Sequence, residues 1–254
     1  MRKRIPVGRA RGILARQLIR ALTLLVLVAA PAAADERPRV LVMGDSLSAA
    51  YGIEREAGWV SLLSRRLEGK ARVINASISG ETSGGGAARL PDLLEQHAPD
   101  LVLLELGGND GLRGLPPAQL RANLAGMIEA SQAAGAEVLL LGIDIPPNYG
   151  PAYRDAFTAV YDELAERFGV ALVPFLLEGV ALDDSLMQDD GIHPTAAAQP
   201  TLLDNVWPTL EPLLKDAGMA LATRADTARA PRPATGLLVA LYAGAPQSPR
   251  LTGR

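Results

Sequence analysis

The chain has 254 residues, 48% of them apolar and 21% charged, which is room for one domain, or two at most, with a sizeable core. It has no cysteine and two histidines, His97 and His193. Disulfides, thiolate metal sites, iron–sulfur clusters and cysteine nucleophiles are therefore excluded, and a multi-histidine metal site would need a carboxylate to complete it. The formal net charge of −3 conceals an asymmetry: residues 1–34 hold seven of the 25 Lys/Arg and no acid, leaving 18 bases against 28 acids, a formal −10. So acidic a body argues against nucleic acid as a partner, because phosphate binding needs clustered Lys and Arg.

Residues 1–34 read as an export signal. A basic stretch precedes the apolar run Ala21–Ala30, and Pro31-Ala32-Ala33-Ala34 offers small residues for cleavage before Asp35. The apolar run is too short to span a bilayer. A mature chain beginning near Asp35, periplasmic or secreted, with no membrane span, is the expectation.

Val40–Met43 is apolar and stops at Gly44-Asp45-Ser46, as a buried strand does on entering a tight turn. Gly58–Leu67 carries helical periodicity, and Arg72–Asn75 is a short second strand. A polar turn, Ala76–Thr82, leads into a helix over Gly84–His97. Asp100–Leu106 is almost continuously apolar, as expected of a central parallel strand, and ends in Gly107-Gly108-Asn109-Asp110. Pro116-Pro117 opens a helix to about Ala134. Glu137–Ile143 is the fourth strand, Asp144–Gly150 a loop, Pro151–Phe168 an amphipathic helix and Val170–Val173 the fifth strand. The turn Asp189–Pro194 enters a last helix over about Thr195–Lys215. This alternation predicts a parallel sheet of about five strands covered by helices on both faces, over residues 35–217. Residues 218–254, rich in Ala, Pro, Gly and Arg, are expected to be disordered.

In a parallel sheet all strand C-termini share one edge, and ligands bind there. Ser46, Gly80 and Asn109 follow three different strands, so they are expected on one rim. Acyl transfer needs a nucleophile, a base, a group that orients the base and donors for the oxyanion. Ser46 is the candidate nucleophile, although a turn or capping role is the commoner use of Gly-Asp-Ser. His193 is the candidate base. Asp190, three residues earlier, can reach back to the ring and fix its tautomer. The plainer alternatives are a helix-entry residue before Pro194 for His193 and a capping or turn acid for Asp190. His97, at a helix end before Pro99, needs no chemistry to explain it. The Ser46 and Gly80 backbone N–H groups and the Asn109 side-chain amide are the candidate oxyanion donors; an ordinary turn glycine and a loop asparagine are the alternatives.

Four stretches resemble, in order, the four sequence blocks of the SGNH/GDSL hydrolases: Gly44-Asp45-Ser46-Leu47-Ser48, Asn75–Thr82, Leu106–Asp110 and Asp190-Gly191-Ile192-His193-Pro194. The resemblance covers about Arg39–Lys215 and is nearest to the periplasmic thioesterase/lysophospholipase/arylesterase group. It implies a three-layer α/β/α flavodoxin-like fold and a serine esterase acting on acyl esters, with thioesters as further candidates. It implies Ser46, Asp190 and His193 as a triad and Ser46, Gly80 and Asn109 as oxyanion donors, with no cofactor and no metal. Gly111, Leu112, Arg113, Gly114 and Leu115 match a substrate-binding segment that moves in relatives; Pro147 and Tyr149 lie in a second matching stretch. The rivals are a carbohydrate acetylesterase on the same fold and a catalytically silent binding module. The Gly-x-Ser-x-Gly elbow of ordinary α/β-hydrolases is absent around Ser46.

Overall fold

The computed structural model describes residues 37–229, with side chains to residue 218. The export signal expected at 1–34 lies outside the described residues.

Five strands, β1 (Arg39–Gly44), β2 (Arg72–Asn75), β3 (Leu101–Glu105), β4 (Glu137–Leu141) and β5 (Ala171–Val173), form one sheet. Their order is β2-β1-β3-β4-β5 and every pairing is parallel. The apolar runs are the reason. Val40–Met43, Leu101–Leu104 and Leu139–Leu141 are wholly inaccessible, so both sheet faces are covered. Each such side chain favours burial by about 1.5–3 kcal/mol, which commits the three central strands to the interior.

The helices are α1 (Trp59–Arg66), α2 (Ser83–His97), α3 (Gly108–Leu112), α4 (Pro117–Ala133), α5 (Pro151–Phe168) and α6 (Gln199–Arg229). On one side α1 packs with α6; on the other α2 packs with α4 and α4 with α5. This is the expected α/β/α arrangement with flavodoxin-like strand order. The order reverses at β1 and β3, the switch point where an open sheet offers a crevice. Thr82 caps α2 through its hydroxyl, which accepts from Gly85 N at 3.3 Å. His97 closes the same helix, where a cation suits the C-terminal dipole.

Three differences from expectation go beyond a residue or two at an element's end. The last helix starts at Gln199, not Thr195, after a short 3₁₀ turn over Ala196–Ala198. Thr195 is held extended because its N–H and hydroxyl both bond Leu186 O, at 2.7 and 3.1 Å. At its other end α6 continues to Arg229, so residues 218–229 are helical where disorder was expected. That segment is rich in alanine, the strongest helix former, and the prolines that colour the tail's composition begin only at Pro231. Residues 230–254 lie outside the described residues. Finally, the turn after β3 is itself a short helix, α3.

Candidate active site

Ser46 follows β1, and the turn holding it is closed by Ala49 N donating to Asp45 O at 2.9 Å and Tyr51 N to Ser46 O at 3.2 Å. His193 and Asp190 come from the turn before α6. That turn is braced by an antiparallel bridge between Met187 and Pro194, with Gln188 N donating to His193 O at 2.7 Å. The two turns meet. His193 Nε2 lies 2.9 Å from Ser46 Oγ, and His193 Nδ1 lies 2.6 Å from Asp190 Oδ2.

The tautomer follows from the acceptor. Asp190 Oδ1 also accepts from the amides of Ile192 and His193, at 2.9 and 3.0 Å. Partial burial by itself raises the Asp190 carboxyl; the His193 ring bond and these two amide bonds outweigh it and hold the group at about 2. An ionised carboxylate can only accept, so the proton sits on Nδ1 and Nε2 is free to take one from Ser46.

Two further residues hold the histidine turn, and sequence reasoning gave neither a role. The Tyr51 ring lies against the His193 ring with centroids 4.4 Å apart. Gln188 Nε2 donates to Tyr51 O and Pro194 O, both at 2.9 Å, clipping the serine turn to the histidine turn. An open depression of about 690 Å³ beside them is lined by Tyr51, Gly52, Gln188, Asp189 and Asp190.

The expected donors reach the same rim. Ile78 N donates to Gly44 O at 3.0 Å, which ties the Gly80 loop to the end of β1. Gly80 has φ +80°, a conformation glycine adopts without strain. Asn109 Nδ2 donates to Asp45 Oδ2 at 2.9 Å, which sets its amide beside the nucleophile turn. Among the described residues no acceptor engages the Ser46 or Gly80 N–H.

The segment 111–115 is more firmly held than its glycines suggest. Tyr149 OH donates to Leu112 O and Tyr153 OH to Leu115 O, each at 2.7 Å, while Arg113 Nη2 donates to Gly80 O at 3.0 Å. Gly111 is buried, and a side chain there would collide with Ile145 and Phe157, so packing requires this glycine. Gly114 has φ +65° and open space around it, as befits a corner. Pro147 is exposed, in the 3₁₀ turn that presents Tyr149.

Beneath the serine turn lies a pair of buried acids, Asp45 and Glu105, 2% and 0% exposed. Burial pushes both upward, Asp45 to about 6, against the lowering effect of its bonds from Leu47 N and Asn109 and of nearby His193. Glu105 is driven well above its ordinary range by burial and by the neighbouring Asp45 charge. The folded state therefore binds protons that the unfolded chain has released, and the linked stability falls as pH rises. Relative to Asp45→Asn, the wild-type protein should lose stability as pH rises from 3.8 through about 6, and go on losing it above that, because the Asp45 charge also raises Glu105. Urea denaturation across this range checks it; a rise in relative stability would mean that Asp45 behaves as an ordinary paired carboxylate.

An α/β/α sheet carrying a Ser–His–Asp contact at its switch point, with amide donors on the same rim, defines the class: a carboxylic ester hydrolase. Residues 42–199 match the GDSL-like Lipase/Acylhydrolase family, and the chain belongs to it. It is 58% identical over 193 residues to Esterase TesA of Pseudomonas aeruginosa, covering 75% of this chain and 94% of that protein. It is 49% identical over 193 residues to Thioesterase 1/protease 1/lysophospholipase L1 of Escherichia coli, covering 76% of this chain and 91% of that one. A crystal structure of TesA superposes with TM-score 0.67 at 60% identity, over 69% of this chain and 99% of the other.

Proposed function

We propose that this serine esterase works through an acyl-enzyme on Ser46, with His193 as the base, Asp190 as its orienting acid and Ser46 N, Gly80 N and Asn109 Nδ2 as oxyanion donors. The carrying observation is the continuous contact from Asp190 through His193 to Ser46, at 2.6 and 2.9 Å. His193 takes the serine proton as Oγ attacks the acyl carbonyl and returns it to the departing alcohol or thiol. The same ring then activates water, which releases the acid. No step calls on a cofactor or metal. The segment 111–115, with Pro147 and Tyr149, is the proposed acyl-side wall.

The N-terminal pattern supports export, with the hydrolase unit beginning at Asp35 in the periplasm or outside the cell. Acyl-CoA is cytoplasmic, so lysophospholipids and other envelope or external esters are the proposed natural substrates, and thioesters secondary ones. Among the described residues no helix is long and apolar enough to cross a membrane. Product analysis after incubation with a lysophospholipid, a series of p-nitrophenyl esters and an acyl-CoA tests the substrate reading. Cleavage of medium and long acyl chains is expected; cleavage of acetate alone would favour the carbohydrate acetylesterase. N-terminal sequencing of the exported protein should read from Asp35, and an intact Met1 would overturn the export reading.

A further inference from the structure

Glu105 is an anomaly in its strand. The other four residues of β3 are apolar and fully buried, and a leucine at 105 would suit the core better than an acid. Its register partner across the sheet is Gly44, the residue before the serine turn. A β-carbon at Gly44 would lie 2.5 Å from Glu105 Oε2, so the glycine leaves room for the carboxyl to reach under the turn. There Oε2 accepts from Asp45 N at 3.1 Å and Ser48 Oγ at 2.7 Å. Glu105 Oε1 is buried and has no donor.

We propose that Glu105 is a positioning residue for ester hydrolysis: its carboxyl holds Asp45 turned toward Asn109 and thereby fixes the orientation of the oxyanion-donating amide. The inference rests on the esterase reading above. Asp45 and Glu105 lie side by side without room for two charges, so one proton is shared between them. Asp45 already has donors for both its oxygens, Leu47 N at 3.0 Å on Oδ1 and Asn109 Nδ2 at 2.9 Å on Oδ2. Glu105 has a bare oxygen. The proton therefore belongs on Glu105, whose Oε1 is the oxygen left free to carry it and whose side chain bonds that of Asp45. The raised position of Glu105 relative to Asp45 agrees with this assignment.

The consequence lies at Asn109. A side-chain amide can present either its NH₂ or its oxygen to a neighbour. Facing a carboxylate that only accepts, it must present NH₂, with one N–H bonded to Asp45 and the other left for the substrate oxyanion. If Asp45 held the proton, its O–H could draw the amide oxygen instead and turn the donor away. Glu105 keeps the proton out of reach.

The test is a double-mutant cycle on an aryl ester, reading kcat and KM separately. Glu105→Gln supplies the same donor and acceptor as a protonated Glu105, so it should keep kcat within about threefold of wild type. Glu105→Leu should lower kcat by about 10–100-fold with little change in KM, because the affected interaction forms in the transition state. In an Asn109→Ala background the same Leu substitution should lower kcat by less than about threefold further, since its target is already gone. Asp45→Asn carries the identical cycle if Glu105→Leu fails to fold. Equal losses in both backgrounds, a loss seen chiefly in KM, or a Glu105→Gln enzyme as poor as Glu105→Leu would overturn the proposal. A wild-type protein that cleaves no ester would instead overturn the esterase mechanism itself.

Discussion

Ser46→Ala is expected to lower kcat on an aryl ester by on the order of 10⁴–10⁶, and His193→Ala by a similar factor. The expectation follows from the contact itself: Ser46 Oγ is the atom 2.9 Å from His193 Nε2. Without the hydroxyl no acyl-enzyme forms; without the imidazole the hydroxyl keeps its proton and is a poor nucleophile. The two losses describe one machine, so the double variant should be scarcely worse than either single one. Ser46 is half-buried at the edge of a turn and not in the core, so far-UV circular dichroism and the thermal midpoint should hardly move. Labelling by a fluorophosphonate separates this mechanism from a silent binding module on the same fold. The wild-type protein should take up one label and Ser46→Ala none. A folded wild-type protein that stays unlabelled, or a Ser46→Ala enzyme with appreciable turnover, would end the assignment.

The parts of the site visible in the sequence share a physical reason. Val40–Met43 and Leu101–Leu104 are unbroken apolar runs, and such runs bounded by glycine turns fit only strands buried on both faces. Parallel strands send their C-termini to one rim, so Ser46 and Asn109 had to be neighbours before any side chain was placed. The Asp-x-x-His spacing needs no tertiary information at all, because one tight turn brings Asp190 to His193. Glu105 was different. It sits in an apolar run, where a single acid reads as noise; only the β1–β3 register puts it opposite Gly44 and under Ser48. Tyr51 and Gln188 escaped for a similar reason, since Tyr51 meets Gln188 and His193 from 137 and 142 residues away and no local pattern reports such contacts. The helix does not start at Thr195 because that residue's N–H and hydroxyl extend the Met187–Pro194 bridge to Leu186 O, a pairing no local pattern reports. The length of α6 was hidden by averaging: prolines from residue 231 onward lent their character to the alanine-rich residues before them.

Asp190→Asn should lower kcat by about 10³–10⁴ while leaving the protein folded, and the argument concerns the tautomer. In the native protein Asp190 Oδ1 is fixed by two backbone amides, so Oδ2 is the oxygen that faces His193 Nδ1. Asparagine would keep its single oxygen on those amides, since the amides can only donate. Its NH₂ group would then point at Nδ1 and demand an acceptor there. The neutral ring satisfies that demand by moving its proton to Nε2, where it faces Ser46 and blocks the transfer the reaction needs. Asp190→Ala makes no such demand. It leaves Nδ1 to water, because 40% of the Asp190 side chain is solvent-accessible, and the useful tautomer remains populated. The alanine variant should therefore be the more active of the two, although it removes more of the side chain. Steady-state kinetics at pH 8 would show the order, and ¹⁵N chemical shifts of the His193 ring would report the tautomer directly. If Asp190→Ala proves no better than Asp190→Asn, the acid acts chiefly through its charge on the imidazolium, and the tautomer argument fails.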